Sequence, residues 1–230
     1  PLPIRSHVGS WISVDSRLLV DASDARVVVI GADGGTRNLL SSFDKGRVVA
    51  RFAPDRSGSF TVQVVADVEG GPRPVLEARV DADVSASTNA AIDPMPGEAT
   101  CTEGDADVRS TCILQSIRGS FRVPDLARDA RLDRVAVAHA RAMMRANDVA
   151  HDAGDGDPTR RFEDAGLRPK IVGENVAHAE SAVAAMRSLW ASPSHRANTV
   201  STELDRYGLA AVTAPDGSVW VALELAGALR

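Results

Sequence analysis

Aromatic residues are scarce in this chain, 4% of 230 positions, so its cores must be built from small and aliphatic side chains. Hydrophobic residues at 44% supply enough of them for one large or two modest domains. Cysteine is scarcer still: Cys101 and Cys112 are the whole complement, in CTEGDADVRSTC. A pair closing a short loop, with no histidine beside it and no C-x-x-C spacing, reads as a disulfide, the alternative being two free thiols. A disulfide points to secretion or the cell-envelope exterior. No apolar run approaches the roughly 20 residues of a membrane helix, so no transmembrane segment is expected. No stretch concentrates Lys and Arg among aromatics, and the formal charge is −5, which argues against a nucleic-acid partner. The chain opens at Pro1 without methionine or a signal-peptide pattern and reads as a mature or trimmed form.

What is present divides into two textures. Residues 1–84 alternate: in PVLEARVDADV, Leu76, Ala78, Val80, Ala82 and Val84 interleave with Glu77, Arg79, Asp81 and Asp83. SFTVQVVADV places Phe60, Val62 and Val64 on one face, and RVVARFA does the same with Val48, Ala50 and Phe52. GADGG, FDKG, DRSG and EGGPRP punctuate these runs as turns, the pattern of a small immunoglobulin-like β-sandwich. Residues 85–112 read as linker and cysteine loop, and they hold most of the acidic excess, with 5 acidic side chains against 1 basic. The net charge is therefore no binding face. From Ile113 the period turns helical, with Leu132, Val135, Ala136, His139 and Met143 on one stripe and Val183, Met186 and Trp190 on another. YGLAAV and SVWVALELAG are strand-like, and without βαβ alternation this half, 113–230, reads as α+β.

Three residues of the second half invite chemistry. In LWASPSHRANTV, Ser192 suits an N-cap and Pro193 a first helical position, so His195 falls in a first turn, where the helix dipole disfavours imidazolium. Neutral imidazole binds metals and accepts protons. His151 in DVAHDAGDG and Glu174 in GENVAHAE are its candidate partners. Other residues read more plainly: His139 as a hydrogen-bonded core histidine, His178 as surface, Met143 and Met144 as packing, and His7 as uninformative. Asp152, Asp155 and Asp157 imitate a calcium loop but lack its closing glutamate and flanking helices.

The order HARAMMRANDVAHDAGDGDPTRRFEDAG, then GENVA, then LWASPSHR, then SVWVALELAG, resembles the bacterial branch of the CAP superfamily (cysteine-rich secretory, antigen 5 and pathogenesis-related proteins; SCP-like domains) over about residues 113–228. The resemblance implies an α-β-α sandwich whose cleft is lined by His151, Glu174 and His195, with Asn175, Arg196 and Trp190 as supports. It departs from the four-residue His/Glu/Glu/His arrangement of eukaryotic members, because Pro193 stands near the second glutamate's place. Glu224 either returns a carboxylate to the cleft or faces solvent by strand alternation.

Three functional classes follow. The resemblance implies a secreted, non-enzymatic module that binds a small lipid or sterol, an extracellular macromolecule or a metal. His151, Glu174 and His195 would suit a divalent ion, zinc above all, with one position open. The second class is a metal-dependent or His/Glu-assisted hydrolase, although HExxH and G-x-S-x-G are both missing and Ser194 points elsewhere. The third is adhesion through the β-sandwich, with the second half as platform.

Overall fold

The structure, a computed structural model, describes residues 4–69, 71–84 and 94–229. The chain divides into two units between Asp93 and Pro94.

The first unit is all β. Its strands are β1 (Ile4–Ser6), β2 (Ile12–Arg17), β3 (Asp24–Ile30), β4 (Thr36–Leu39), β5 (Ser41–Asp44), β6 (Arg47–Phe52), β7 (Gly58–Val68) and β8 (Gly71–Ala82). One sheet runs β1-β8-β7-β3-β4 and the other β2-β6-β5. Val27, Val29, Phe60, Val62 and Val64 from the first meet Val48, Ala50 and Phe52 from the second in one core, as alternation requires of a sandwich. The expected inward set of β8 needs correcting. Leu76 is exposed, and burial is complete only from Val80 to Ala82, the three residues that β1 pairs along the strand's outer edge.

The second unit has three layers. Its elements are α1 (Ala106–Ser120), β9 (Ala127–Arg128), α2 (Ala130–Ala146), α3 (Pro158–Asp164), β10 (Ile171–Ala179), α4 (Ala182–Ala191), α5 (Pro193–Val200), β11 (Arg206–Thr213) and β12 (Val219–Gly227). The sheet order is β10-β12-β11-β9, and all nine residues of central β12 are buried. Alternation on β12 separates the layers. Val221, Leu223 and Leu225 pack with Ile113, Leu114 and Ile117 of α1 and Met186, Leu189 and Trp190 of α4. Trp220 and Ala222 pack with Ala136, Ala140 and Met143 of α2. The stripe read from the sequence is thus the face α2 lays on the sheet.

Local chemistry sets the helix ends. Asp129 caps α2 through the Arg131 amide, Asp157 caps α3 ahead of Pro158, and Asn147 ends α2 in the left-handed conformation. The expected boundary at Ile113 moves upstream: Asp105 caps α1, Met95 and Cys101 lie in the second unit's core, and Cys101–Cys112 is a disulfide joining the preceding loop to α1. Of the expected linker and cysteine loop, 85–93 lies outside the described residues and 94–112 belongs to the second unit. Gly208 of β11 decides how deeply α2 seats. A Cβ there would meet the Leu132 carbonyl carbon at 2.1 Å and the Asp133 amide nitrogen at 2.3 Å, so only glycine lets the helix start lie this close. Among the described residues no helix is long and apolar enough to cross a membrane.

Candidate functional site

Strand pairing assembles the site's floor. Glu174 of β10 stands opposite Glu224 of β12, and Glu224 opposite Gly208 of β11, so all three share the face that α2 covers. Two carboxyls therefore lie side by side under a helix, 5% and 0% exposed. Glu174 Oε1 is 2.5 Å from His151 Nδ1, while its Oε2 accepts from Arg161 Nη2 and lies 3.6 Å from His139 Nε2. Burial raises the Glu174 carboxyl to about 7 against the pull of Arg161. Burial, and then the charge of Glu174, hold Glu224 well above the ordinary carboxylate range. Neither Glu224 oxygen meets an aligned donor among the described residues, and Arg161 Nη2 stands 3.5 Å off, so a protonated Glu224 serves as donor toward Glu174.

Arg161 is the centre of this arrangement. It projects from α3, where Phe162 anchors the helix in a core with Leu132, Val135 and Leu167. Its Nη1 donates to the carbonyls of His151, at 2.7 Å, and Gly156, and lies 3.7 Å from Asp155 Oδ1. The guanidinium thus binds the 151–156 loop to the glutamate pair. His139 of α2, fully buried, faces Asp155 through Nδ1 at 3.0 Å and the Ala150 carbonyl through Nε2 at 3.1 Å. Burial and the Arg161 charge lower its pKa, while Asp155 and the Ala150 carbonyl oppose them.

His195 does sit in the first turn of α5, and its pKa is lowered to about 4. The cause differs from the sequence argument: burial comes first and the His151 charge second. Ser192 holds the N-cap position without a side-chain cap bond, its hydroxyl lying 3.4 Å from that of Ser194. Asn175 fixes this helix from the opposite face of β10. Its Nδ2 donates to the His195 carbonyl at 2.9 Å and to Thr199 Oγ1 at 3.1 Å, and its Oδ1 accepts from Asn198 at 3.0 Å. Arg196 donates to the Trp190 carbonyl at 2.7 Å and stacks 3.5 Å from the Trp190 ring centroid.

The structure therefore brings His151 and Glu174 into contact and places His195 within electrostatic reach of His151. A zinc ion on the expected set would have to compete with the partners that Glu174 already has. Both Glu174 oxygens already serve His151 and Arg161, and among the described residues no group of three or more His, Cys, Asp or Glu is arranged to hold a metal ion. The calcium-like loop is likewise occupied by its own chain: Asp152 accepts from the Gly154 and Gly156 amides, Asp155 faces His139, and Asp157 caps α3.

Sequence reasoning passed over Arg161, placed His139 in the core alone and left Glu224 open. A signal for Arg161 did exist. A buried glutamate needs a cation, and of the two adjacent arginines in PTRRFED, Arg160 is spoken for by Asp164 at i,i+4, where the two pair at 3.0 Å.

Residues 114–223 match the family model "CAP: Cysteine-rich secretory protein family", and the second unit is a CAP domain. Solved structures of low identity resemble the chain. An extracellular protein containing an SCP domain from Bacillus anthracis is 17% identical with TM-score 0.49, covering 75% of this chain and 65% of its own. An outer surface protein of Borrelia burgdorferi is 17% identical with TM-score 0.47, covering 51% and 89%. A cysteine-rich secretory protein from Staphylococcus aureus is 13% identical with TM-score 0.45, covering 90% and 66%. The chain thus spans less than two thirds of the Bacillus protein it matches. No curated protein matches.

Proposed function

We propose that the chain is a non-enzymatic extracellular binding module whose CAP cleft takes an uncharged, lipid-like ligand through His151 and His195. The observation that carries this reading is the commitment of Glu174. Its two oxygens are engaged by His151 and by buried Arg161, which makes it a brace for the cleft rather than a free base. His195, whose pKa burial and the His151 charge lower to about 4, offers hydrogen bonds without charge near pH 7, which suits an uncharged partner. The Cys101–Cys112 disulfide supports an oxidising location, as do relatives described as extracellular and outer-surface proteins.

A second reading rests on the 2.5 Å contact between His151 and Glu174, since a carboxylate that orients an imidazole can prepare it as a general base. Ester and peptide turnover separates the two. The binding reading expects no turnover by wild type above that of Glu174→Gln, together with saturable quenching of tryptophan fluorescence by a sterol or short-chain lipid that weakens in His195→Ala. Turnover abolished by Glu174→Gln would replace it with the hydrolase reading. A ligand retained by the isolated first unit alone would favour adhesion through the β-sandwich.

A further inference from the structure

In the first unit, β2 is the outer strand of the sheet β2-β6-β5, and among the described residues no strand pairs with its free side. The Leu18 amide donates to the Gly46 carbonyl at 2.7 Å and so continues the register that Ile12–Arg17 keeps against β6. Ile12, Val14, Ser16 and Leu18 therefore turn their amides and carbonyls toward β6, while Ser13, Asp15 and Arg17 turn theirs outward. The strand carries no proline, lysine or register shift that would discourage further pairing. Arg17 stands opposite Arg47, like charge on like, and has no ion pair among the described residues, because Arg47 holds Asp15 at 2.8 and 2.5 Å. Large apolar side chains are exposed at both ends of the strand: Trp11 just before it at 75%, Leu19 just after it at 100%.

We propose that the free edge of β2 takes β2 of a second copy of this chain, antiparallel about a twofold axis at Ser16. Only the outward set can exchange hydrogen bonds across such an edge, which leaves few registers. A centre at Asp15 sets that carboxylate against itself, and a centre at Arg17 does the same with the guanidinium. A centre at Val14 sets Asp15 against Ser13 and gives Arg17 no carboxylate. The centre at Ser16 places Asp15 opposite Arg17 of the second copy twice over, so each Arg17 gains the counter-charge it lacks. It also sets Val14 opposite Leu18, both of which pack on the sandwich core. Beyond the strand it carries Leu19 opposite Ser13 and diagonal to Trp11, so the exposed apolar groups at the two ends meet. Two three-stranded sheets become one of six strands. A single pair of strands buries less than a standard interface, so the dimer is weak and concentration-dependent. It involves the first unit alone and is independent of the cleft reading above.

Sedimentation velocity of the full chain from about 10 µM to about 1 mM tests the pairing. Wild type is expected to shift from monomer toward dimer over that range. Arg17→Asp sets carboxylate against carboxylate and is expected to raise the dissociation constant roughly tenfold or more, and Asp15→Lys to do the same with cations. The two variants mixed in equal amounts are expected to regain the dimer, because the mixture restores opposite charges at both positions. Arg17→Pro removes an outward amide without touching the ladder to β6, and is expected to lose the dimer while keeping the far-UV spectrum. Should Arg17→Pro be recovered unfolded, the mixed charge variants decide alone. A wild type that stays monomeric at about 1 mM would overturn the proposal and leave the edge to an unrelated extended peptide. So would a dimer that Arg17→Asp leaves unchanged, or a mixture of the two charge variants that stays monomeric.

Discussion

Glu224→Gln isolates the proton that the buried carboxyl pair holds. In the folded protein, Glu174 is raised to about 7 and Glu224 well above its ordinary value, whereas both carboxyls ionise near 4.3 in the unfolded chain. Between those limits the folded state binds more protons than the unfolded state, so the pair's contribution to stability is full below about pH 4.3 and is lost as pH rises toward 7. One proton held over that interval, at about 1.36 kcal/mol per unit, is on the order of 4 kcal/mol, of which the part above pH 5 is about 2–3 kcal/mol. His139 and His195 act with the opposite sign because their pKa values are lowered. The wild-type curve alone mixes the two effects, and the difference between variant and wild type separates them. Glutamine keeps a donor toward Glu174 without a titrating proton, so this difference should climb in the variant's favour by about 2–3 kcal/mol from pH 5 to pH 8. Urea unfolding followed by tryptophan emission reads it from the second unit, since Trp190 and Trp220 are each 3% exposed while Trp11 of the first unit is 75% exposed. Parallel curves for variant and wild type would refute the assignment of the proton to this pair.

His195→Gln should flatten the acid limb. With a folded pKa of about 4, wild type forgoes a proton that the unfolded chain takes up below pH 6.5, so stability falls from pH 6.5 to 4, by on the order of 2 kcal/mol after allowing for partial exposure, and unfolding at pH 7 and pH 4.5 measures it. Gly208→Ala drives a methyl to within 2.1–2.4 Å of the Leu132 and Asp133 backbone, and should cost about 3 kcal/mol or more in urea midpoint analysis while loosening α2 and His139 with it. Replacing Cys101 and Cys112 together by serine should cost roughly 3 kcal/mol, seen as a lowered melting temperature that matches wild type under reductant.

The helical stripe from Leu132 to Met143 and the inward sets of β6 and β7 were legible because period alone reports which residues share a buried face. Period does not report partners. His139 was read as buried and hydrogen-bonded, and it is, but its acceptor Asp155 comes from a loop 16 residues away and ties it to the site. Glu224 stayed open because alternation assigns a face without saying whether a layer covers it; β12 is central, so both its faces are interior. Neutral His195 was foreseen from a helix start, yet the larger cause is burial, which needs the fold. The start of α1 was readable in hindsight from Asp105, whose side chain accepts from the Val108 amide, but the polar text of the cysteine loop concealed it.

Glu174 is held between His151 and Arg161, which leaves it no oxygen free for a metal ion. Calorimetric titration of wild type and His195→Ala with zinc at pH 7 tests it most directly. Equal, weak heats are expected from both proteins. A one-site isotherm in wild type that disappears in His195→Ala would contradict it and restore His151, Glu174 and His195 as a zinc site.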